Sequence, residues 1–208
     1  MDTLSPEFSS MAVVFLAAII TNNILLTEFL GMCSFIAISR HMKTAFGMGV
    51  AVTFVTFSTA MLNYAIYHGV LVADAPLCAA DLTYLSYLVF IMVIAGFVQL
   101  VEMILERFSP VLHYNLGIYL PLITVNCAIL GVSINMLNPD LKFGFGKTAV
   151  YGLGSGLGWL LAICLMAGLR QRMADADIPR PLRGLGITVI VTGLMAMAFM
   201  GFADMVKM

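Results

Sequence analysis

Charge is almost missing from six long stretches of this chain, and that absence restricts its folds more than any motif does. The stretches cover residues 12–38, 44–68, 82–105, 116–137, 146–169 and 183–203. A helix that crosses a bilayer needs about 20 mostly apolar residues, so each stretch is long enough to span. Of the 208 residues, 62% are hydrophobic and 10% charged, and the mean hydropathy is +1.03. A soluble domain of this size could not hide so much apolar surface, because surface grows almost as fast as mass. The expected solvent is lipid. Net charge is −1 and there is no basic block, so nucleic acid is not an expected partner.

The linkers are short: "SRHMK", "HGVLVADAPLCAAD", "ERFSPVLHYN", "NPDLKFGFGK" and "RQRMADADIPRPLR". None could hold a catalytic domain, so any catalytic head must come from another chain. Residues 1–11 form a polar leader without a basic residue or a small-residue cleavage site. It does not read as a signal peptide, and the first span is expected to stay as an anchor. Residues 12–208 are expected to form one membrane domain. The first, third and fifth linkers hold Arg40, Lys43, Arg107, Arg170, Arg172, Arg180 and Arg183, against Lys142, Lys147 and Lys207 elsewhere. Cytoplasmic loops carry the excess of Lys and Arg, so both termini are expected on the periplasmic side.

The two halves resemble each other. "MKTAFGMGVAVTF" at 42–54 matches "GKTAVYGLGSGLGW" at 146–159. "FLGMCSFIAIS" at 29–39 lies on "LITVNCAILGVS" at 122–133, cysteine on cysteine. "LTYLSYLVFIMV" at 82–93 lies on "LRGLGITVIVTG" at 182–193. The matches keep one order along the chain. Three spans per copy is an odd number, so the second copy enters the membrane inverted. The expected fold is all-α: six transmembrane helices in two inverted three-helix repeats, at about 12–105 and 116–203. The first helix of each copy should be broken. Asn22, Asn23, Thr27, Glu28 and Gly31 interrupt one; Pro121, Thr124 and Asn126 interrupt the other. Proline removes a backbone hydrogen bond, and broken backbone is tolerated only under protein or in a cavity.

Cys33 and Cys127 then fall at equivalent places on two broken helices. A membrane cysteine is most often a small packing residue. Two matched thiols could also form a disulfide, or supply half of a four-ligand zinc or iron–sulfur site. Cys78 and Cys164 have no repeat mate and read as packing. Asn126, Thr124 and Gly31 would shape the surroundings of the sulfur, a glycine beside Cys33 letting backbone N–H groups approach. The alternative is that they only let helices pack closely.

Glu28 and Glu102 are the acids inside the expected spans, and an intramembrane ionisable group is a functional candidate by default. Glu28 could meet a cation, take a proton, or accept bonds from unwound backbone. Glu102 could snorkel or pair with Arg107. His41, His68 and His113 sit at or near helix ends. Gly152, Gly154, Gly156 and Gly158 form a small-residue face for close helix approach; with no strand before them they are not a phosphate loop. The last linker, with Arg170, Arg172, Arg180 and Arg183, could dock a peripheral subunit or lipid, or act as an orientation signal alone.

"FLGMCSFIAIS", "TAFGMGVAVTF", "VEMILERFSPVLHYNLGIYLPLITVNCAILGVS", "YGLGSGLGWLLAI" and "LRGLGITVIVTGLMAMAFMGF" resemble one superfamily of membrane proteins. It comprises the D and E subunits of the bacterial Na⁺-translocating NADH:quinone oxidoreductase, and the A and E subunits of the related Rnf complex. The likeness covers about residues 12–203. "GMCSF", "TVNCAILGVS" and "GSGLGW" are most similar to the branch of the oxidoreductase's E subunits. The resemblance implies an enzyme complex of the inner membrane that oxidises NADH, reduces ubiquinone and exports Na⁺. It implies that the D and E subunits, homologous and oppositely inserted, share an intramembrane [2Fe–2S] cluster held by two cysteines from each. Those ligands fall here on Cys33 and Cys127, and no catalytic residue is implied. NAD, FAD, FMN, riboflavin and ubiquinone would be bound by other subunits, with A, B, C and F as further partners beside membrane lipid. The nearest competing reading is the Rnf A subunit, which would exchange the electron partners for ferredoxin and NAD. From another class, a secondary transporter would also suit inverted repeats and Glu28.

Overall fold

The computed structural model describes residues 6–71, 83–108, 120–137, 144–173, 179, 182 and 184–201. The described secondary structure is helical throughout. In order come α1 (Pro6–Ile19), α2 (Ile24–Thr27), α3 (Met32–Ile38) and α4 (Met42–Ile66), which runs on through a π turn at Tyr67–Leu71. A 3₁₀ turn at Thr83–Leu85 leads into α5 (Ser86–Phe108). Then follow α6 (Leu120–Thr124), α7 (Cys127–Asn135), α8 (Phe145–Met173) and α9 (Leu185–Met200).

Three of these are long and apolar enough to cross a membrane: Met42–Leu71, Ser86–Ile104 and Phe145–Met173. They fall on the expected spans 44–68, 82–105 and 146–169. The expected span 183–203 is the shorter apolar helix α9. The other two are broken, as their sequences suggested. Stretch 12–38 is divided among α1, α2 and α3, and 116–137 between α6 and α7.

Asparagine makes both breaks. Asn23 has extended backbone, and its carboxamide oxygen accepts the Leu25 N–H at the start of α2. Its Nδ2 donates to the Ile19 carbonyl at the end of α1 and to Gly158 of α8, at 3.1 and 2.8 Å. One side chain thus ends one helix, starts the next and ties both to a third. Asn126 has the same backbone form and accepts from Ala128 N–H at 3.1 Å. Capping of this kind satisfies donors that lipid cannot. Pro121 does not make the second break. It stands in the first turn of α6, where its missing N–H costs nothing.

The centre is the pair α4 and α8, which carry the matched Lys-Thr-Ala segments. Gly49 meets Leu160, Thr53 meets Gly156, and Phe57 and Ala60 meet Gly152. The pairing descends along α8 as it climbs α4, so the helices are antiparallel. Gly154 and Gly158, on another side of α8, meet Phe15, Ala18 and Ile19 of α1. The glycine stripe therefore serves two interfaces, each with glycines four residues apart, and the close-approach reading holds. Hydroxyls in α4 and α9 turn inward on their own backbone. Thr56, Thr59 and Thr192 each donate to the carbonyl four residues earlier, at 2.7 Å. Large apolar side chains such as Leu88, Ile91 and Met92 of α5 and Leu185, Leu194 and Met197 of α9 lie exposed.

A methyl group at Gly156 would stand 2.7 Å from the Thr53 backbone, whereas Gly47 has nothing within 4 Å. Gly156→Val should therefore destabilise the purified protein by roughly 1–3 kcal/mol through overpacking. Gly47→Ala should leave the thermal midpoint in detergent unmoved or slightly raised.

Candidate cysteine site

The chain entering each half-helix sets the site. After α2, Glu28 ends the helix, Phe29 adopts a positive φ of 55° and Gly31 one of 84°. Gly31 caps α3, and Cys33 lies in its first turn. On the other break, Asn126 caps α7 and Cys127 is that helix's first residue. The matched cysteines thus occupy matched positions, each just after a break. Both are free and exposed.

The two breaks touch. The Gly31 N–H donates to the Cys127 sulfur at 2.9 Å. The Gly31 carbonyl accepts from Ser34 Oγ at 3.0 Å and from Phe35 N–H at 3.1 Å. Leu30 fills the space left open at Gly131 of α7. A methyl group at Gly31 would stand 2.8 Å from Asn126 Oδ1 and 2.9 Å from Trp159 Nε1. Only glycine fits, by both its φ and the crowding. The expectation that Gly31 would let an N–H reach sulfur is met, but at the cysteine of the opposite break. Backbone N–H bonds of this kind are what metal-bound thiolates accept.

Asn126 Nδ2 and Trp159 Nε1 are buried and have no hydrogen-bond partner among the described residues. A cavity of about 270 Å³ opens beside Asn126, lined by Ile91, Ile94 and Ala95 of α5, by residues 124–127, and by Leu130. Thr124 and Cys127 both face it. Among the described residues no group of three His, Cys, Asp or Glu side chains could hold a metal. Two thiols alone do not complete a tetrahedral or cluster site.

The remaining candidates disperse. Cys164 is half-buried on α8 and packs against the core, as a packing residue would. Cys78 and His113 lie outside the described residues. His41 caps α4 and is exposed, and His68 packs against the Tyr64 ring at 4.4 Å. Glu28 accepts from the Asn135 carboxamide at 2.9 Å, and Asn135 also reaches the Tyr151 hydroxyl at 3.3 Å. Glu102 is half-buried on α5 and Arg107 exposed near that helix's end.

The last-linker reading changes for Arg170. It lies within α8, where its Nη1 donates to the Ile36 carbonyl at 3.0 Å and to Ser39 Oγ at 2.8 Å. It caps the half-helix that carries Cys33. Arg180 and Arg183 lie outside the described residues, and Arg172 is exposed. Trp159 had no role assigned from sequence. Its signal was slight: it is the only tryptophan and ends the glycine-rich matched segment.

Residues 11–206 match the family described as "Rnf-Nqr subunit, membrane protein". The chain is 49% identical over 190 residues to the E subunit of the Na⁺-translocating NADH-quinone reductase of Proteus mirabilis, covering 91% of this chain and 95% of that one. It is 50% identical to the protein of that name from Haemophilus influenzae, over 190 residues, with the same coverage. It is 50% identical to that of Nitrosomonas europaea over 199 residues, covering 94% and 98%.

Gly31→Ala and Gly47→Ala form a discriminating pair, since Gly31 has positive φ and close neighbours and Gly47 has neither. Strain of about 1–2 kcal/mol is expected at Gly31. Overpacking should add roughly 1–3 kcal/mol there. The difference between their thermal midpoints reads strain and crowding together.

Proposed function

The chain belongs to the Rnf-Nqr family of membrane subunits, and from that premise we propose that it serves as the E subunit of a Na⁺-translocating NADH:quinone oxidoreductase. In this reading Cys33 and Cys127 are two of the four ligands of a [2Fe–2S] cluster, completed by the homologous D subunit. The observation that carries it is the meeting of the two breaks. Two exposed thiols sit just after two half-helix caps, joined through Gly31 N–H to Cys127 sulfur. The exposure suits ligands that a second chain completes. The Asn126 Nδ2, without a partner among the described residues, and the N–H bond to sulfur suit a thiolate-bound group rather than bare packing.

Such a cluster supplies one-electron transfer. This chain's own contribution would be to hold two sulfurs at the breaks, donate a backbone hydrogen bond to one of them and keep water away with apolar walls. Hydrogen bonds to sulfur raise a cluster's potential, because they stabilise the more negative reduced form. NADH, the flavins and ubiquinone would be handled by the other subunits, A, B, C and F among them, and Na⁺ export would be a property of the assembly. The Proteus, Haemophilus and Nitrosomonas relatives are named for this complex and not for Rnf, which favours this reading over the Rnf A subunit.

The inverted-repeat architecture belongs to the same proposal. Antiparallel α4 and α8 are what an upside-down second copy requires, since the matched Lys-Thr-Ala segments must then run in opposite directions. The matched serines support it too. Ser39, after one half-helix, is held by Arg170 of α8, and Ser133, in the other, by Asn63 of α4 at 2.8 Å. Each half-helix is gripped by the long helix of the opposite copy. With six spans the Lys and Arg distribution sets both termini on the periplasmic face of the inner membrane.

The test is iron content and EPR of the reduced complex. Cys33→Ser and Cys127→Ser should each abolish one [2Fe–2S] signal and reduce quinone reduction to background. Unchanged iron and activity in both would return the cysteines to packing and bring the transporter reading forward.

A further inference from the structure

Helix α8 meets the half-helix that carries Cys33 at both of its ends. At the N-terminal end, the Trp159 indole nitrogen lies against Gly31, where a methyl group would be 2.9 Å away. At the C-terminal end, Arg170 donates to the Ile36 carbonyl and to the Ser39 hydroxyl. Trp159 and Arg170 are roughly 16 Å apart along α8, and the half-helix with its caps is about 12 Å long, so one straight helix with a long arginine spans it. Both contacts are well enclosed: Trp159 is 1% and Ser39 0% exposed. A four-residue helix and two positive-φ residues precede α3, so little in its own chain fixes where it stands. The third constraint on Gly31 is its own N–H, which ends on the Cys127 sulfur.

We propose that Trp159 and Arg170 are the positioning residues of the cysteine pair. Arg170 caps and anchors the half-helix of Cys33. Trp159, with Asn126, walls in Gly31 so that its N–H stays aimed at the sulfur of Cys127. Among the described residues neither donates a hydrogen bond to a sulfur; they act through α3 and through Gly31. The inference rests on Cys33 and Cys127 being a ligand pair, but its geometry can be read without a cluster.

The experiment uses the assembled complex with Cys78→Ser and Cys164→Ser in this chain, leaving Cys33 and Cys127 as its thiols. Trp159→Phe keeps an aromatic ring and withdraws the nitrogen from Gly31. Arg170→Leu removes the cap, and Arg170→Lys returns a donor. Two quantities are measured: the rate at which dibromobimane bridges the two cysteines after iron is stripped, read by mass spectrometry of the joined peptides, and the midpoint potential of the loaded cluster by EPR. Trp159→Phe and Arg170→Leu should slow bridging several-fold and shift the potential downward, with Arg170→Lys restoring most of both. Should Arg170→Leu fail to assemble, Arg170→Gln against Arg170→Lys makes the same comparison. Wild-type bridging and potential in Trp159→Phe and in the arginine variants would overturn the proposal. Slowed bridging in a complex whose wild type shows no cluster signal would uphold the positioning and overturn the cluster reading instead.

Discussion

A helix that breaks within an apolar bundle leaves N–H and C=O groups that lipid cannot satisfy, and the arrangement around the cysteines follows from that constraint. Asn23 answers it at one break. It accepts from the amide that starts α2 and donates to the carbonyl that ends α1. Its remaining donor goes to Gly158 of α8, which fixes the break against the central helix. Asn126 answers it at the other break but uses only its oxygen, leaving Nδ2 without a partner among the described residues. The two solutions differ in the place where the cysteine cavity opens. A fully satisfied network sets a rigid corner, while a half-satisfied one is costly unless something else completes it.

The glycines of α8 make the corners possible. Gly158 has no side chain, so Asn23 can reach its carbonyl while Ala18 lies against the same turn. Gly152 and Gly156 bring α4 close enough for its threonines to pack on backbone. Without these contacts the broken segments would have no solid surface to dock on. Their short length gives them little stability of their own, since isolated helices of four to nine residues do not hold together. Local structure at the cysteines is therefore a consequence of tertiary packing on one long helix.

Much of this was written in local sequence. Apolar runs located α4, α5 and α8 because length and hydropathy alone decide a span. Asn23, Gly31 and Asn126 marked the breaks because capping and positive φ are properties of single residues and their neighbours. What sequence could not show was what met what. Pro121 looked like the breaker, but a proline's effect depends on its place in the turn, and here it opens a helix. Arg170 looked like linker charge because it follows an apolar run. Its partner, Ser39, is 131 residues away, and no local pattern reports that. Glu28 offered three roles on sequence, and none of them named its hydrogen-bond partner Asn135, far along the chain. Trp159 carried almost no signal, since a buried aromatic at a helix interface reads as packing.

The exposure of the two cysteines ties these observations to the proposed shared site. A thiol kept for packing gains by being enclosed, as Cys164 partly is on α8. Cys33 and Cys127 are exposed although their neighbours Ser34, Asn126 and Ala128 are buried. The fold buries Ser34 beside Cys33 and both neighbours of Cys127, and turns the sulfurs outward. Buried flanks and outward sulfurs make little sense for a stabilising core. They suit a ligand pair whose geometry must be set before a second chain arrives, because ordering it afterwards would subtract from the free energy of assembly.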